Sequence, residues 1–304
     1  MTVLVPAPGA HGGDGARLAA AIGVDPAAVL DLSASLNPVA PDAGELVGKH
    51  LESVGRYPDP AAATEAMARA LGVESDRVLL TNGGAEAISL VGRLLGGTVA
   101  EPDFSLYPRS GGPVWRSNPH NPSGRLALPE QVAGVWDEAF YPLATGRWSR
   151  GDAARGAVVV GSLTKVFACP GLRVGYVIAP DASTVAALEE RQPEWSLNAL
   201  AAATVPDLLD SADLGAWAAA VRSLRADLAE VLVGYGLAAE ASDANFVLVK
   251  APGLRDALAA QAVLVRDCAG FGMPDHVRVA VPGPDGLDRL DRALARAAAV
   301  GGVG

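Results

Sequence analysis

Lysine is the scarcest charged residue of this sequence, and cysteine is sparse as well. Only three of the 24 basic residues are lysines, namely Lys49, Lys165 and Lys250. The two cysteines, Cys169 and Cys268, are too few for a disulfide framework, and their spacing suits no structural metal site. Positive charge is also in deficit, because the net charge is −10. A general affinity for nucleic acid or for anionic membranes is therefore not expected.

Long apolar runs are lacking, and aromatic residues make up only 5% of the chain. No stretch is both long enough and free enough of charge to span a bilayer. The opening MTVLVPAPGAHGG has neither a basic region nor a continuous apolar region, so we expect no signal peptide and a cytoplasmic protein. The chain is nevertheless 50% hydrophobic, which excludes wholesale disorder and leaves alanine, valine and leucine to fill the core.

Apolar segments separated by glycine turns predict an α/β domain in the first two thirds of the chain. RVLL (77–80) is a short predicted strand that leads through TNGGAEA into a predicted helix at 85–97. AVVVG (157–161) is apolar throughout, as expected of a central strand that is buried on both faces of a parallel sheet. The other predicted elements are strands at 97–100, 113–117, 132–136 and 171–179 and a helix at 60–72.

The pattern changes in the last third of the chain. A helical stretch covers 204–234, with Gly215 as its expected interruption. ANFVLVK (244–250) and HVRVAV (276–281) alternate like half-buried strands, and a final helix follows at 286–299. We predict three parts: an N-terminal arm that packs on the small domain (1–40), a large α/β domain (41–205), and a connecting helix with a small C-terminal domain (206–304).

The segment GSLTKVFACPGLRVGY (161–176) places a lysine between two apolar strands. The apolar flanks of Lys165 would partly desolvate its amine, which favours the neutral, nucleophilic form. Ser162, Thr164 and Arg173 supply the hydroxyl groups and the guanidinium that hold a phosphate. A nucleophilic amine beside a phosphate cradle suits pyridoxal phosphate. The structural alternative is a surface lysine with a surface arginine on a strand edge.

Other segments carry residues that suit the same cofactor. TNGGAEAI (81–88) places glycine-rich backbone at a helix N-terminus, where amide groups favour a phosphate. Asp137 in WDEAF ends a short apolar strand, where a carboxylate can pair with a pyridine nitrogen. Asn121 in SNPHNPSG can donate to the phenolic oxygen, and Phe104 or Tyr107 in DFSLY can stack on the ring. Each also has a structural interpretation, as a tight turn, a helix N-cap, or loop and core packing.

These motifs, GG-x-E, NP-x-NP-S-G, DEAF and S-x-TK-x4-PGLR-x-GY in this order across residues 82–176, resemble the fold-type I pyridoxal phosphate enzymes of the class I/II aminotransferase superfamily. The resemblance implies an α/β fold: a mostly parallel central sheet covered by helices, with a small α+β C-terminal domain. It implies that pyridoxal 5′-phosphate is the cofactor, that Lys165 bonds it, and that Asp137 pairs with its pyridine nitrogen. The further implied contacts are Gly84, Ala85, Ser162 and Arg173 to the phosphate, Asn121 to the phenolic oxygen, Tyr107 stacked on the ring, and Tyr57 to the phosphate of the neighbouring subunit's cofactor in a homodimer.

The ends of the chain narrow the resemblance. HGGDGARLAAAIGV, DLSASLNPVAP, RYPDP, EWSLNALA and VLVRDCAGFGMPDHVRVAV are similar to the L-threonine-O-3-phosphate decarboxylases of cobalamin biosynthesis. That similarity implies His11 and Arg266 on the substrate phosphate, Arg278 on its carboxylate, and Asn198 as a further substrate contact. Phe140 agrees with it, because histidinol-phosphate aminotransferases usually carry tyrosine there. A solvated His11 and two strand-surface arginines are the structural alternatives.

The resemblance implies a metal-free decarboxylation of a small phosphorylated amino acid, threonine phosphate, to aminopropanol phosphate. An aminotransferase for histidinol phosphate or another amino acid would use the same residues and stays an alternative. So does a catalytically silent binding or scaffold protein with the same fold. An intact Lys165, Asp137 and Arg173 argue against that last alternative, since decay would not spare them selectively.

Two connections are shorter than the resemblance leads us to expect. Seven residues separate YPR (107–109) from SNPHNPSG, where a strand and a helix normally intervene. Twelve separate NPSG (121–124) from DEAF, which is close to the minimum for a parallel crossover. We therefore expect an edge strand to be absent and a covering helix to be reduced to one or two turns within LPEQVAG (128–134).

Overall fold

The computed structural model describes residues 5–299, which form two compact units. The small unit comprises residues 5–39, 122–126 and 220–299, and the large unit comprises residues 40–121 and 127–219. The strands are β1 (Leu30–Leu32), β2 (Val78–Thr81), β3 (Thr98–Val99), β4 (Val114–Ser117), β5 (Val135–Asp137), β6 (Val158–Ser162), β7 (Gly175–Ile178), β8 (Phe246–Lys250), β9 (Val263–Asp267) and β10 (His276–Ala280). The helices are α1 (Gly15–Ile22), α2 (Ala43–Gly48), α3 (Ala61–Leu71), α4 (Gly84–Leu95), α5 (Tyr141–Thr145), α6 (Leu163–Val166), α7 (Ala182–Glu189), α8 (Ala199–Asp210), α9 (Leu214–Gly234), α10 (Leu254–Ala259) and α11 (Pro284–Ala299).

The large unit is built on a sheet with the strand order β2-β7-β6-β5-β4-β3. The strands from β3 to β6 are parallel, whereas β7 is antiparallel to both of its neighbours, β6 and β2. Every residue of β6 is buried, which explains why the residues before its final Ser162 carry no polar side chain. Side chains of α4 and α7 pack into the core on this sheet. The arrangement confirms the predicted α/β fold with a mostly parallel central sheet.

The sheet ends at β3, a strand of two residues. From residue 100 to residue 113 the chain forms a loop with no strand or helix of its own, as its short length predicts. The amide of Gly97 donates to the carbonyl of Gly111 at 2.6 Å, and the amide of Gly111 donates back at 3.1 Å. These two hydrogen bonds close the loop against the start of β3.

The short helix predicted within 128–134 is wrong, because this segment is a loop. The guanidinium of Arg150 donates to the carbonyl oxygens of Leu128 at 3.2 Å, Pro129 at 2.8 Å and Gln131 at 3.2 Å. The amide of Gly134 already donates to the carbonyl of Val114 at the edge of the sheet. A side chain thus satisfies the backbone of a segment too short to nucleate a helix.

The helical stretch predicted over 204–234 is two helices, α8 and α9. The break lies before Gly215, which is inside the first turn of α9, so the predicted interruption was misplaced. Asp213 determines the start of α9, because its side chain accepts a hydrogen bond from the amide of Ala216 at 2.9 Å. None of the described helices has the length and apolarity that crossing a membrane requires.

The small unit is built on a sheet with the strand order β1-β9-β10-β8. β1 is parallel to β9, and the other pairs are antiparallel. Side chains point alternately to the two faces of such a sheet. One face packs into the core with α9, α10 and α11 through Val247, Val249, Val263, Val265, Val277 and Val279. The opposite face carries Arg266 and Arg278, which are direct cross-strand partners.

Candidate active site

Lys165 lies just beyond the carboxyl end of the buried central strand β6. It is half-buried in the short helix α6, and Leu163, Thr164 and Val166 around it are buried. β5 is the parallel neighbour of β6, and the charge of Lys165 acts on the carboxyl group of Asp137 at the end of β5. The carboxyl ends of parallel strands are where open α/β sheets bind their ligands. The sheet therefore brings the two residues with the predicted catalytic roles together.

Asp137 is a carboxyl group with a raised proton affinity. Burial raises its pKa to about 6, although the hydrogen bonds it accepts and the charge of Lys165 oppose the increase. One carboxylate oxygen accepts from the amide of Ala139 at 2.9 Å, and the other accepts from the hydroxyl group of Tyr107 at 2.7 Å. At neutral pH Asp137 is still mostly ionised, so it can pair with a protonated ring nitrogen.

Tyr107 has a different position from the predicted one. Its side chain is only 3% exposed and lies between the rings of Phe104, 5.6 Å away, and Trp115, 5.3 Å away. So little exposed surface leaves no ring face for stacking on a cofactor. Phe104, the other aromatic residue considered, is half-buried and keeps that role as a prediction. The hydrogen bond from Tyr107 to Asp137 is a contact that the sequence did not reveal.

Asn121 is held in a buried turn after β4. Its backbone amide donates to the hydroxyl group of Ser117 at 2.8 Å, and the residue is 6% exposed. The backbone amide of Asn118, three residues earlier, donates to the backbone carbonyl of Asp137 at 2.8 Å. This hydrogen bond ties the turn to the end of β5. The predicted ligand of the phenolic oxygen thus lies in the same part of the large unit as Asp137.

The predicted phosphate contacts form a cup at the start of α4. Gly83 has φ 77°, and a Cβ atom there would lie 2.5 Å from a guanidinium nitrogen of Arg173. A Cβ atom on Gly175 would lie 2.4 Å from the carbonyl carbon of Gly83. Glycine at both positions therefore lets Arg173 and β7 approach the loop. Arg173 itself has φ 59°, a conformation that non-glycine residues adopt at a cost and mostly at functional sites.

The composition of this cup fits a phosphate. The amides of Gly84 and Ala85 are among the first of a 12-residue helix, so they have no acceptor within that helix. The hydroxyl group of Thr164 is buried and has no hydrogen-bond partner among the described residues. Ser162 and Arg173 complete the donors. With Lys165 and Asp137 nearby in the same unit, the donor set fits pyridoxal phosphate: an aldehyde, a ring nitrogen and a phosphate.

Glu86 is a supporting residue that the motif GG-x-E contains but whose role the sequence does not show. Its carboxylate accepts from the amide of Asn82 at 2.7 Å, from the side chain of Gln192 at 3.2 Å, and from the hydroxyl group of Ser196 at 2.5 Å. It thereby fixes the glycine loop to the segment that precedes α8. The glutamate in the GG-x-E motif is the sequence signal that could have pointed to this supporting role.

The small unit places two arginines side by side on one face of its sheet. Arg278 and Arg266 are each 6% exposed, and the guanidinium of Arg278 lies 4.6 Å from the ring centre of Phe246. Burial lowers the pKa of Arg278 to about 10, and the positive charge of Arg266 contributes to the decrease. Two adjacent buried cations repel each other, so an anion bound between or beside them would be favourable.

The N-terminal arm closes over Arg266. The guanidinium donates to the carbonyl oxygens of Gly9 at 3.1 Å and Ala10 at 2.6 Å. His11 follows directly, and partial burial, together with the charge of Arg266, lowers its pKa. His11 and Arg266 also line one hollow with Ser33 and with the buried Arg255, which sequence reasoning missed. The predicted phosphate residues of the small unit are thus neighbours.

Asp31 and Ser33 hold the arm in place and were not foreseen. Asp31 accepts from the amide of Gly15 at 3.1 Å and from the hydroxyl group of Ser33 at 2.5 Å. Ser33 accepts in turn from the amide of Gly13 at 2.8 Å. The predicted arm motif is therefore tied to β1 by side chains of the DLS segment.

Two predicted residues lie elsewhere in the large unit. Tyr57 is 79% exposed, and its ring centre is 4.8 Å from that of Trp195, which is itself 61% exposed. A cavity of about 560 Å³ beside them is lined by Pro58 and Trp195 and by none of the predicted cofactor residues. Asn198 caps α8: its side chain accepts from the amide of Ala201 at 2.8 Å and donates to the carbonyl of Leu172 at 3.0 Å. Its role in substrate binding stays a prediction.

Comparison with known proteins adds a family and several relatives. The family model described as aminotransferase class I and II matches residues 108–296. A histidinol-phosphate aminotransferase 2 of Pseudomonas aeruginosa is 28% identical, with 92% of each chain covered. A threonine-phosphate decarboxylase of Salmonella typhimurium is 29% identical, with 94% of this chain and 95% of the relative covered.

The solved structures agree on the fold. The histidinol-phosphate aminotransferase of Sinorhizobium meliloti, solved in complex with pyridoxal-5′-phosphate, superposes with a TM-score of 0.76 at 17% identity. The superposition covers 86% of this chain and 88% of the other. The two sequence alignments extend over 340 and 347 positions, more than the 304 residues of this chain, so gaps must interrupt it internally. Such gaps agree with the two shortened connections.

Proposed function

Because the chain belongs to the aminotransferase class I and II family, we propose that it decarboxylates a small phosphorylated amino acid, L-threonine O-3-phosphate, to aminopropanol phosphate. The cofactor is pyridoxal 5′-phosphate, as the sequence predicted. When bound, this group accepts the electrons of a bond broken at the substrate Cα. The product is the linker of the cobalamin nucleotide loop, which places the enzyme in cobalamin biosynthesis.

The observation that carries the proposal is the pair of buried arginines on one sheet face of the small unit. Arg266 and Arg278 face the same side because they are cross-strand partners. A substrate with a carboxylate and a phosphate supplies two anions for two guanidiniums. The protein as a whole carries net charge −10, so such a ligand must be held by a few focused cations. His11 and the hollow beside Arg266 support the phosphate assignment.

The large unit supplies the groups that hold and polarise the cofactor. Lys165 would bond its aldehyde, and the cup of Gly84, Ala85, Ser162 and Arg173 would bind its phosphate. Asp137 would pair with the ring nitrogen, and the Tyr107 hydroxyl group fixes that carboxylate. Asn121 would donate to the phenolic oxygen. After a bond at Cα has broken, the amine of Lys165 is the group that can carry a proton to or from that carbon.

A histidinol-phosphate aminotransferase is the second candidate, and the relatives favour it. The Pseudomonas aeruginosa relative carries that name and aligns over as much of the chain as the decarboxylase does, within a few per cent. Both reactions use the same lysine and the same carboxylate. They differ in which bond at Cα stands perpendicular to the ring, the bond to the carboxylate or the bond to hydrogen, and histidinol phosphate, an amino alcohol, has no carboxylate for Arg278 to bind. The choice of decarboxylation rests on HGGDG, VLVRDC and Phe140.

We also propose a homodimer that shares its active sites. Its support is four exposed apolar side chains of the large unit, Leu51, Val54, Tyr57 and Trp195, with exposed fractions of 59%, 68%, 79% and 61%, of which Tyr57 and Trp195 are in ring contact. Exposed large apolar side chains that lie together mark interaction surfaces. Tyr57 would reach the phosphate group of the cofactor held by the neighbouring subunit. A scattering profile that fits a monomer with saturated cofactor would contradict this arrangement.

The test of the reaction is a paired assay of the purified protein loaded with pyridoxal phosphate. Incubation with L-threonine O-3-phosphate should release CO2 and form aminopropanol phosphate, with no need for an amino acceptor. Formation of a keto acid that depends on an added acceptor would instead establish the aminotransferase. The control is Lys165→Ala, which should contain no cofactor that borohydride traps on the protein. A wild-type protein that traps the cofactor, forms neither product and transfers no amino group from histidinol phosphate to an added acceptor would favour the silent scaffold.

A further inference from the structure

Asp103 is a buried carboxyl group for which the proposed reaction has no role. It is 3% exposed in the loop between β3 and β4. Burying a charge is costly unless hydrogen bonds compensate for it. One of its oxygens accepts from the hydroxyl group of Ser117 at 2.8 Å and from the amide of Phe104 at 2.8 Å. Because burying this carboxylate costs free energy, we looked for what Asp103 contributes to the folded protein.

The hydrogen bonds of Asp103 lead into the cofactor site. The hydroxyl group of Ser117 donates to Asp103 and accepts at the same time from the backbone amide of Asn121 at 2.8 Å. Ser117 is also the register partner of Asp137 across β4 and β5. The chain of contacts therefore runs from Asp103 through Ser117 to the residue expected to bind the phenolic oxygen, directly beside the residue expected to bind the ring nitrogen.

We propose that Asp103 is a positioning residue of the cofactor site: through Ser117 it fixes the turn that holds Asn121, and its negative charge acts on Asp137. The inference rests on the proposed cofactor site and deepens it. Asp103 is not placed against the cofactor or the substrate, so it acts only through Ser117 and Asp137. The two actions are separable, because one depends on a hydrogen bond and the other on a charge.

The charge of Asp103 acts on Asp137 together with the other groups that surround that carboxylate. Lys165 lies beyond β6 and lowers the pKa of Asp137, while Asp103 raises it and the hydrogen bond from Tyr107 lowers it. On β7, burial and the charges of Glu138 and Asp137 raise the pKa of the Tyr176 phenol. Burial raises the pKa of Asp103 itself, while the hydrogen bonds that it accepts and the charge of His120 oppose the increase. Removing the charge of Asp103 leaves every other group in place. It should therefore lower the pKa of Asp137 and keep that carboxylate ionised at a lower pH.

Two variants separate the hydrogen bond from the charge. Asp103→Asn keeps an oxygen that accepts from Ser117 and removes the charge. Ser117→Ala removes the link to Asn121 and keeps the charge. Glu101→Gln is the matched control, because this exposed carboxylate lies in the same loop, pairs with Arg109 at 2.7 Å, and accepts from the backbone amide of Asp103 at 3.0 Å, a hydrogen bond that the glutamine oxygen can keep. The measurement is the dissociation constant of pyridoxal phosphate from the apoprotein, followed by tryptophan fluorescence between pH 5 and pH 8.

For Asp103→Asn we expect an unchanged dissociation constant at pH 8 and a weakening at acid pH that begins at a lower pH than in the wild type. For Ser117→Ala we expect binding to weaken about tenfold at every pH, as for one buried hydrogen bond, with the pH dependence unchanged. Glu101→Gln should match the wild type in both respects. This pattern would support the inference.

Other outcomes overturn it. If Asp103→Asn and Ser117→Ala both bind the cofactor as the wild type does over the whole pH range, Asp103 has no positioning role. Thermal unfolding of the apoproteins provides the second measurement: a variant that melts earlier but has normal cofactor affinity and normal pH dependence while folded shows a purely structural role. If the wild type itself fails to bind pyridoxal phosphate, the cofactor site fails instead, so the two failures are distinguishable.

Discussion

The two sides of the large sheet are built differently. On one side, β2, β7 and β6 have four or five residues each, all buried, and the glycine loop and α4 follow directly. On the other side, β3 has two residues, β4 is partly exposed, and the connections on either side of β4 contain no α-helix. The complete side carries the phosphate cup. The shortened side carries Asp137, Tyr107 and Asn121.

Side chains replace secondary structure on the shortened side. On the complete side, helix and strand hydrogen bonds hold the site residues. On the shortened side, Arg150 satisfies the carbonyls of the loop 128–134, and Asp103 with Ser117 holds the turn of Asn121. A single side chain with several polar atoms can satisfy a backbone that has lost its regular partners. The shortened side should therefore be more sensitive to single substitutions than its small size suggests.

Loss of the Asp137 carboxylate should impair the chemistry more than any other single change. Asp137→Asn removes the negative charge that would keep the ring nitrogen protonated, while Lys165 can still bond the cofactor. We expect turnover to fall by at least about three orders of magnitude, which corresponds to about 4 kcal/mol of barrier at about 1.4 kcal/mol per decade. Single-turnover rates with threonine phosphate provide the measurement. Asp181→Asn, an exposed cap of α7, is the control. Near-normal turnover would show that another group serves the ring nitrogen.

The next effect concerns the two arginines of the small unit. Arg266→Ala should weaken phosphorylated substrate relative to unphosphorylated threonine by roughly 2–5 kcal/mol, as expected for one partner of a desolvated charge pair. Arg278→Ala should weaken both substrates alike, because both carry the carboxylate. The ratio of kcat/KM for the two substrates is the measurement. If neither variant changes that ratio, the phosphate pocket and the decarboxylase proposal fail together, and a general aminotransferase becomes the better account.

These residues also show what the sequence can and cannot predict. Lys165, Asp137 and Arg173 stand in contiguous motifs whose order predicts one sheet edge, and the structure brings them into one unit. Arg150 and Asp103 act on segments 14 to 22 residues away in the chain. No local period or spacing marks such contacts, because they depend on how loops of unusual length close.

The errors in secondary structure have similar causes. The short helix expected within 128–134 came from the resemblance, and the segment is too short to offset the cost of helix nucleation. Asp213 caps α9, whereas the break in the helix was predicted at Gly215, two residues later. Tyr107 was expected to stack on the ring because the resemblance implies it. Its burial between two other rings depends on tertiary packing that a single sequence does not show.

Stability should depend on pH through Glu138, which is fully buried beside Asp137 on the shortened side. Burial raises its pKa from 4.5 to about 7. The unfolded chain therefore releases this proton at a lower pH than the folded protein does, so the free energy of unfolding falls as pH rises between those values. The fall is on the order of 3 kcal/mol. Glu138→Gln should remove it, as measured by urea unfolding at pH 5 and pH 8.

Glu130→Gln, an exposed glutamate in the adjacent loop, is the control for that measurement. Asp137 also has a raised pKa and contributes in the same direction, so the quantity to compare is the difference between variant and wild type at each pH. An equal difference at both pH values would mean that Glu138 keeps its proton affinity unchanged on folding.

The smallest effect separates the two sides of the sheet most sharply. Arg150 holds three carbonyls of the loop 128–134, lies 4.9 Å from the ring centre of Trp136, and is 3.4 Å from Asp152. Arg150→Ala should lower the free energy of unfolding by about 2 kcal/mol, because the buried carboxylate of Asp152 loses a donor and three loop carbonyls lose their side-chain partner. The effect stays this small because Asp152 keeps its ion pair with Arg155. Arg147→Ala, at an exposed neighbouring position, should leave stability unchanged.

Because the phosphate cup rests on the complete side, the affinity of Arg150→Ala for pyridoxal phosphate should stay within about twofold of the wild type, well under the 1.4 kcal/mol that a tenfold change requires. A variant that keeps full stability but loses the cofactor would reverse the comparison, since the shortened side would then support the cup rather than its own loop.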